Sequence, residues 1–242
     1  MDGKKTIALD PKVYQKLLAI KKGGEQVEDV VARLVEAHAT GVESARWHVP
    51  CKVIVLGPPA SGKSMLVKFF FENKDPKLIL ADFLIPTKET EEITYDWLDL
   101  KVSVVDVGHD DFEPVIKGQQ PEPFSGACEI IYVFDIGTWS AQKTLIVSDI
   151  DALLATRAQR APDAGITCLV HKKDTAEGEA GDNIVTEFKA LLKGIKGAST
   201  IHVEATSLLA RYAMETFRAF RNVLLRHSSL LRQALLPGYT RT

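Results

Sequence analysis

The chain has 242 residues, of which 45% are hydrophobic and 26% charged, with a formal net charge of −2. That balance is globular: no apolar run approaches the roughly 18 residues a membrane span needs, and near-neutrality excludes nonspecific coating of nucleic acid by the whole molecule. The length suits one large domain with a small appendage, read as a module over 1–40, a linker over 41–50 and a main domain over 51–242.

The first residues, Met1-Asp2-Gly3-Lys4-Lys5-Thr6, lack an apolar signal core, which predicts a cytoplasmic location. Lys5-Thr6-Ile7-Ala8-Leu9 alternates as a strand does, and Asp10-Pro11 reads as the N-cap and first residue of a helix. Val13, Leu17, Leu18 and Ile20 give that helix an apolar stripe, and Gly23-Gly24 stops it. A second helix is predicted over 26–38, with Val27, Val30, Val31, Leu34 and Val35 at helical spacing. Strand, helix and helix in so short a segment cannot enclose a core, so the module is expected to form a homodimer. It resembles the ribbon-helix-helix module of prokaryotic repressors, archaeal antitoxin-like proteins in particular, through Thr6-Ile7-Ala8-Leu9, Tyr14, Leu17, Lys21-Lys22 and Gly24-Glu25. The resemblance implies paired strands in the major groove of DNA, with Lys4, Thr6 and Ala8 toward the bases. Ala8 departs from a reading residue, since it can touch a thymine methyl but donates no hydrogen bond. The alternative is a dimerisation device with a solvated, lysine-rich face. Gly41 then marks the linker.

The main domain opens on the buried-strand signal Val53-Ile54-Val55-Leu56, followed by Gly57-Pro58-Pro59-Ala60-Ser61-Gly62-Lys63-Ser64 and the helix-like Met65-Leu66-Val67-Lys68-Phe69-Phe70. G-x-x-x-x-G-K-S between strand and helix is the pattern of a phosphate-binding loop: its glycines let successive amides face an anion, and the helix adds its positive end. The candidate nucleotide contacts here are Gly57, Pro58, Ala60, Ser61, Gly62, Lys63, Ser64 and Met65. Lys63 is placed on the β and γ phosphates, where it is also a catalytic candidate, and Ser64 on Mg2+. Further on, 93–98 and 101–105 read as a hairpin, and 130–134, 166–170 and 199–204 as strands. Helices are predicted over 141–159, 183–193 and 208–235. The order predicts an α/β fold of three layers, with a mostly parallel six-stranded sheet covered on both faces and ligands at the carboxyl ends of its strands. Cys51, Cys128 and Cys168 stand singly at or within the predicted strands and are expected to be reduced.

Asp106 ends a predicted strand, where an acid can hold Mg2+ opposite Ser64. His171-Lys172-Lys173-Asp174 follows another. A carboxylate at Asp174 can accept from both the ring N1–H and the exocyclic amine of guanine, a donor pair adenine does not present, while the Lys172 stem lies along the base. Thr206, Ser207 and Leu208, after the last strand, are candidates for the guanine oxygen.

With these residues the chain resembles the Ras-like small GTPases, P-loop GTPases of which the Rag/Gtr branch is nearest. The likeness rests on Ile131-Tyr132-Val133-Phe134-Asp135, on Cys168-Leu169-Val170-His171-Lys172-Lys173-Asp174 with its branch-specific His171, and on Thr206-Ser207. It implies GTP and GDP as ligands, with Mg2+, and a GTPase-activating or roadblock-type protein as a partner; a roadblock domain of its own is not expected before Thr242. It also implies a switch threonine, best matched by Thr87 with Thr90 and Thr94 as rivals. In Asp106-Val107-Gly108-His109-Asp110-Asp111-Phe112 the family's Asp-x-x-Gly-Gln is altered. Aligned without a gap, His109 replaces the glycine and Asp110 the glutamine; with one position deleted, Gly108 reads the γ phosphate and His109 takes the water-orienting role. The second alignment is preferred and makes His109 a catalytic candidate for slow hydrolysis. The reading is a GTP-binding switch, dimerised and targeted to DNA by its N-terminal module. The alternative is a non-hydrolysing DNA-binding regulator or scaffold whose guanine nucleotide is structural.

Overall fold

A computed structural model describes residues 25–32, 51–81, 89–97, 100–176 and 179–227. The chain divides into two compact units, Met1–Val49 and Pro50–Thr242. In the first, the described residues form a helical segment at 27–32 in which the Gln26 amide donates to the Asp29 carboxylate at 2.8 Å, in the manner of a capping box, and Val30 is buried. The expected strand with Lys4, Thr6 and Ala8, and the helix after it, lie outside the described residues.

The second unit runs β1 (Cys51–Leu56), α1 (Lys63–Phe71), α2 (Pro76–Ala81), β2 (Glu91–Trp97), β3 (Leu100–Asp106), α3 (His109–Ile116), β4 (Ala127–Asp135), α4 (Trp139–Arg160), β5 (Gly165–His171), α5 (Glu179–Leu192), β6 (His202–Ala205) and α6 (Ala210–His227). The sheet order is β2-β3-β1-β4-β5-β6. β2 is antiparallel to β3, and each remaining neighbouring pair is parallel. The sheet class expected from the strand and helix order is therefore the one observed.

Period-two alternation divides the core between the two faces of the sheet. Ile54, Leu56, Ile130, Tyr132 and Phe134 pack with Val115, Ile146, Ile150, Leu153 and Phe188 from α3, α4 and α5. Val53, Val55, Ile131 and Val133 face the other way, against Leu66, Phe70, Phe220 and Leu224 from α1 and α6. Phe70 stacks on Phe220 at 5.1 Å between ring centroids. Burying each such ring contributes about 1.5–3 kcal/mol, so the two aromatic helices clamp the sheet beneath the phosphate loop.

Because β1, β3, β4, β5 and β6 run in one direction, the segments after them gather along one edge of the sheet, where ligands of such folds bind. Cys168 is free and buried, and burial pushes its thiol well above the usual cysteine range. Cys128 corrects the expectation of reduced cysteines, for it is disulfide-bonded. It is the extra residue where the β1–β4 register steps between Lys52 and Val53, an irregularity that alternation alone does not reveal. Among the described residues no helix is long and apolar enough to cross a membrane.

Candidate functional site

The loop between β1 and α1 has a shape that its sequence dictates. Gly57 has φ +149°, and a Cβ there would lie 2.0 Å from the Val133 carbonyl oxygen of the neighbouring strand. Gly62, the N-cap of α1, has φ +97°, and its Cβ would meet the His171 ring at 2.6 Å. Neither position admits a side chain. Ala60 also adopts a left-handed backbone, at φ +58°. The Lys63 side chain folds back along this loop and its Nζ donates to the carbonyls of Gly57 at 2.9 Å and Pro58 at 3.1 Å. No acidic residue stands in the first turn of α1, so nothing there offsets the positive end of the helix.

Opposite the loop, Asp106 closes β3. Its carboxylate takes a hydrogen bond from Ser64, yet Oδ1 is buried with no hydrogen-bond partner, and so is the hydroxyl of Ser61. Burial holds the Asp106 carboxyl above the usual range, against the Ser64 bond and the Lys63 charge. Burial likewise pushes Lys63 below the usual lysine value, against the attraction of Asp106. In both groups the cost of burial outweighs their mutual attraction, so neither charge is fully compensated within the protein. A phosphate with Mg2+ would fit this pair, since a hydroxyl beside a carboxylate with a bare oxygen is a hard-donor set of the kind Mg2+ takes. Among the described residues no cluster of three His, Cys, Asp or Glu side chains could hold a metal alone, so such an ion would depend on the ligand.

The third part of the site follows β5. His171 is 2% exposed, and its Nδ1 lies 3.0 Å from the Thr206 hydroxyl. Burial, with Lys172 beside it, lowers its pKa to about 4, so the ring is neutral at physiological pH. Lys172 has φ +58° and caps the 3-10 turn Lys173–Thr175. Its Nζ donates to the Ala60 carbonyl at 2.8 Å and to Asp135 Oδ2 at 2.7 Å, and so links this turn to the loop after β1. The Asp174 carboxylate accepts from the Ser207 hydroxyl, which in turn accepts from the Leu209 amide at 3.1 Å. The Lys173 amide donates to the Thr206 carbonyl at 3.1 Å, tying the turn to the segment after β6. Leu208 is buried in the core cluster of the α1 face, and Met65 packs against the same cluster.

The structure thus brings together residues 57–65, Asp106, His171, Lys172, Asp174, Thr206, Ser207 and Leu208 at one edge. Gly108 is buried as the N-cap of α3, and His109 is exposed as that helix's first residue. Thr87 lies outside the described residues. Of its rivals, Thr90 has its hydroxyl on Asp111 Oδ2 at 2.7 Å, and Thr94 is an exposed residue of the edge strand β2. Sequence reasoning gave no role to Asp135, whose signal was an acid directly after the apolar run Ile130–Phe134. It also passed over Asp111, whose Oδ2 additionally accepts from the Thr90 amide at 2.9 Å.

A phosphate loop after the first strand, an acid ending the parallel strand beside it, and a Lys-x-Asp turn after β5 define the fold and edge of a P-loop GTPase. Residues 52–235 match the Gtr1/RagA G protein conserved region, and the chain belongs to that family. It is also similar to the GTP-binding protein gtr1 of Schizosaccharomyces pombe, with 28% identity over 146 residues, which is 58% of this chain and 46% of that protein. The match thus spans less than half the length of that relative.

Proposed function

We propose that the protein is a guanine-nucleotide switch that binds GTP and GDP with Mg2+ and hydrolyses GTP slowly to GDP and phosphate. The observation that carries this reading is the Lys172 ammonium, bonded at once to Ala60 of the phosphate loop and to Asp135. The bond to Ala60 ties the turn that carries Asp174 to the loop over 57–65, so that one nucleotide can span both. The amides of the loop over 57–65 and Lys63 hold the phosphates, the Lys172 stem covers the base, and Asp174 accepts its N1–H and amine. Ser207 holds Asp174, and the segment 206–208 lines the guanine oxygen. Ser64, Asp106 and Thr87 would hold Mg2+, which would supply positive charge to the phosphates during hydrolysis.

Gly108, at an extended backbone angle ahead of α3, offers its amide to the γ phosphate. His109 is placed to orient the attacking water. No hydrogen bond among the described residues fixes its ring, and slow turnover without a partner protein follows from that freedom. The N-terminal module keeps the role its sequence suggests: it dimerises the chain and lays Lys4, Thr6 and Ala8 on DNA. Gel-shift binding that survives Lys4→Ala and Thr6→Ala counts against the DNA role.

The nucleotide reading is tested by Asp174→Asn. An asparagine replaces one acceptor by a donor, which matches the 2-carbonyl of xanthine rather than the 2-amine of guanine. Preference for GDP is expected to pass to the xanthine nucleotide; a variant that keeps guanine preference refutes the assignment. GDP held through long incubation with no phosphate released from GTP would favour the structural-nucleotide alternative.

A further inference from the structure

Thr216 lies in α6, nine residues beyond Ser207 and well inside the helix, and it is fully buried. A buried threonine in an amphipathic helix ordinarily returns its hydroxyl to a carbonyl of its own helix. This one does not. Its hydroxyl accepts from the Ser207 amide at 3.0 Å and donates to the Ser207 carbonyl at 2.7 Å. One side chain therefore satisfies both backbone groups of a single residue outside the helix.

The consequence lies one bond further on. With its amide and carbonyl both held, Ser207 has a fixed backbone, and its Oγ, bonded from the Leu209 amide at 3.1 Å, can direct its proton only toward Asp174. Every polar group of Ser207 is then committed. Asp174 is only partly buried and, apart from Ser207, has no hydrogen-bond partner among the described residues, so this relay is what aims its carboxylate. A carboxylate has about four lone-pair sites, and Ser207 takes one, which leaves the others for a ligand.

We propose that Thr216 is a positioning residue for base selection: through Ser207 it orients Asp174 toward the N1–H and exocyclic amine of guanine. The inference rests on the guanine-binding reading above. It concerns selectivity rather than binding as such, because the hydrogen bonds of Thr216 go to Ser207 and not to the phosphate loop or Lys172.

The test compares GDP with IDP, which keeps the N1–H and lacks the exocyclic amine, and with ADP, by equilibrium titration in Mg2+. Wild type, Thr216→Val, Thr216→Ala and Thr216→Ser are measured. Valine keeps the volume and removes the hydroxyl; alanine removes it without bulk if valine does not fold; serine restores it. A merely structural role lowers thermal stability and weakens all nucleotides in parallel. The positioning role instead reduces the GDP-over-IDP preference by about 5- to 10-fold, the scale of one hydrogen bond, in the variants lacking the hydroxyl, and serine restores it. Wild-type preference for GDP over ADP combined with an unchanged GDP-to-IDP ratio in the valine and alanine variants overturns the assignment of Thr216 alone. Wild-type protein that binds ADP as tightly as GDP overturns the guanine reading and this inference with it.

Discussion

Part of the destabilisation of this protein by acid should run through one ring, that of His171. His171 packs under Gly62 and is bonded to Thr206, and its pKa falls from 6.5 to about 4 because burial penalises the imidazolium. The folded pKa is depressed, so between these values the unfolded chain binds a proton that the folded chain refuses. The contribution of His171 to stability is therefore fully present above about pH 6.5 and is lost as pH falls toward 4. At about 1.36 kcal/mol per unit, the loss reaches on the order of 2 kcal/mol by about pH 5. Asparagine at this position cannot titrate. Urea unfolding followed by tryptophan fluorescence, at pH 7 and at about pH 5, should show the wild type losing about 2 kcal/mol more than His171→Asn. Asp111, held below the usual range by its bonds from Thr90, loses its stabilisation in acid too, but equally in both proteins. Equal acid losses in the two proteins would refute the reasoning.

Lys63→Ala should weaken GDP binding by at least about 100-fold, since it removes both a phosphate contact and the ties to the Gly57 and Pro58 carbonyls; titration that finds unchanged affinity contradicts the phosphate assignment. Gly62→Ala places a Cβ at φ +97° and 2.6 Å from the His171 ring, and should cost about 2 kcal/mol in denaturant unfolding besides impairing nucleotide binding. Asp106→Asn removes a carboxylate that burial holds above its usual range, so the nucleotide-free protein should melt no lower than wild type while Mg2+ ceases to strengthen GDP binding. A lower melting point together with an intact Mg2+ effect would show that Asp106 is structural only.

The parts of the fold that the sequence disclosed are those where one signal is uncontested. Val53 to Leu56 is apolar throughout because both faces of β1 are covered, and Gly57 and Gly62 stand where backbone geometry excludes any other residue. The turn after β5 was equally plain, because a charged run ending a buried strand has few structural explanations. Boundaries failed where a short turn competed with a strand: β6 begins at His202 rather than 199, since Ala198–Thr200 forms a 3-10 turn. α2 was missed although Asp75-Pro76 carries the signal that Asp10-Pro11 was read by, and Asp75 does accept from the Lys77 amide at 2.9 Å. α3 was hidden because Pro114 sits inside it and its residues were read for chemistry alone. Thr216 carries no signal in the spacing, and Asp135 shows only as an acid after an apolar run, with nothing to say what it bonds. Their roles depend on what α6 and β4 bring beside Ser207 and Lys172, and such adjacency exists only once the sheet is assembled.

The central claim, one site that holds a polyanion at Lys63 and selects its base at Asp174, is tested most directly by calorimetric titration of the wild-type chain with GDP and with ADP in Mg2+. GDP is expected to bind tighter than ADP by roughly 100-fold or more, since a site built on hydrogen bonds to guanine leaves its carboxylate unpaired against adenine. Equal affinity for the two, or no heat with either, would contradict it.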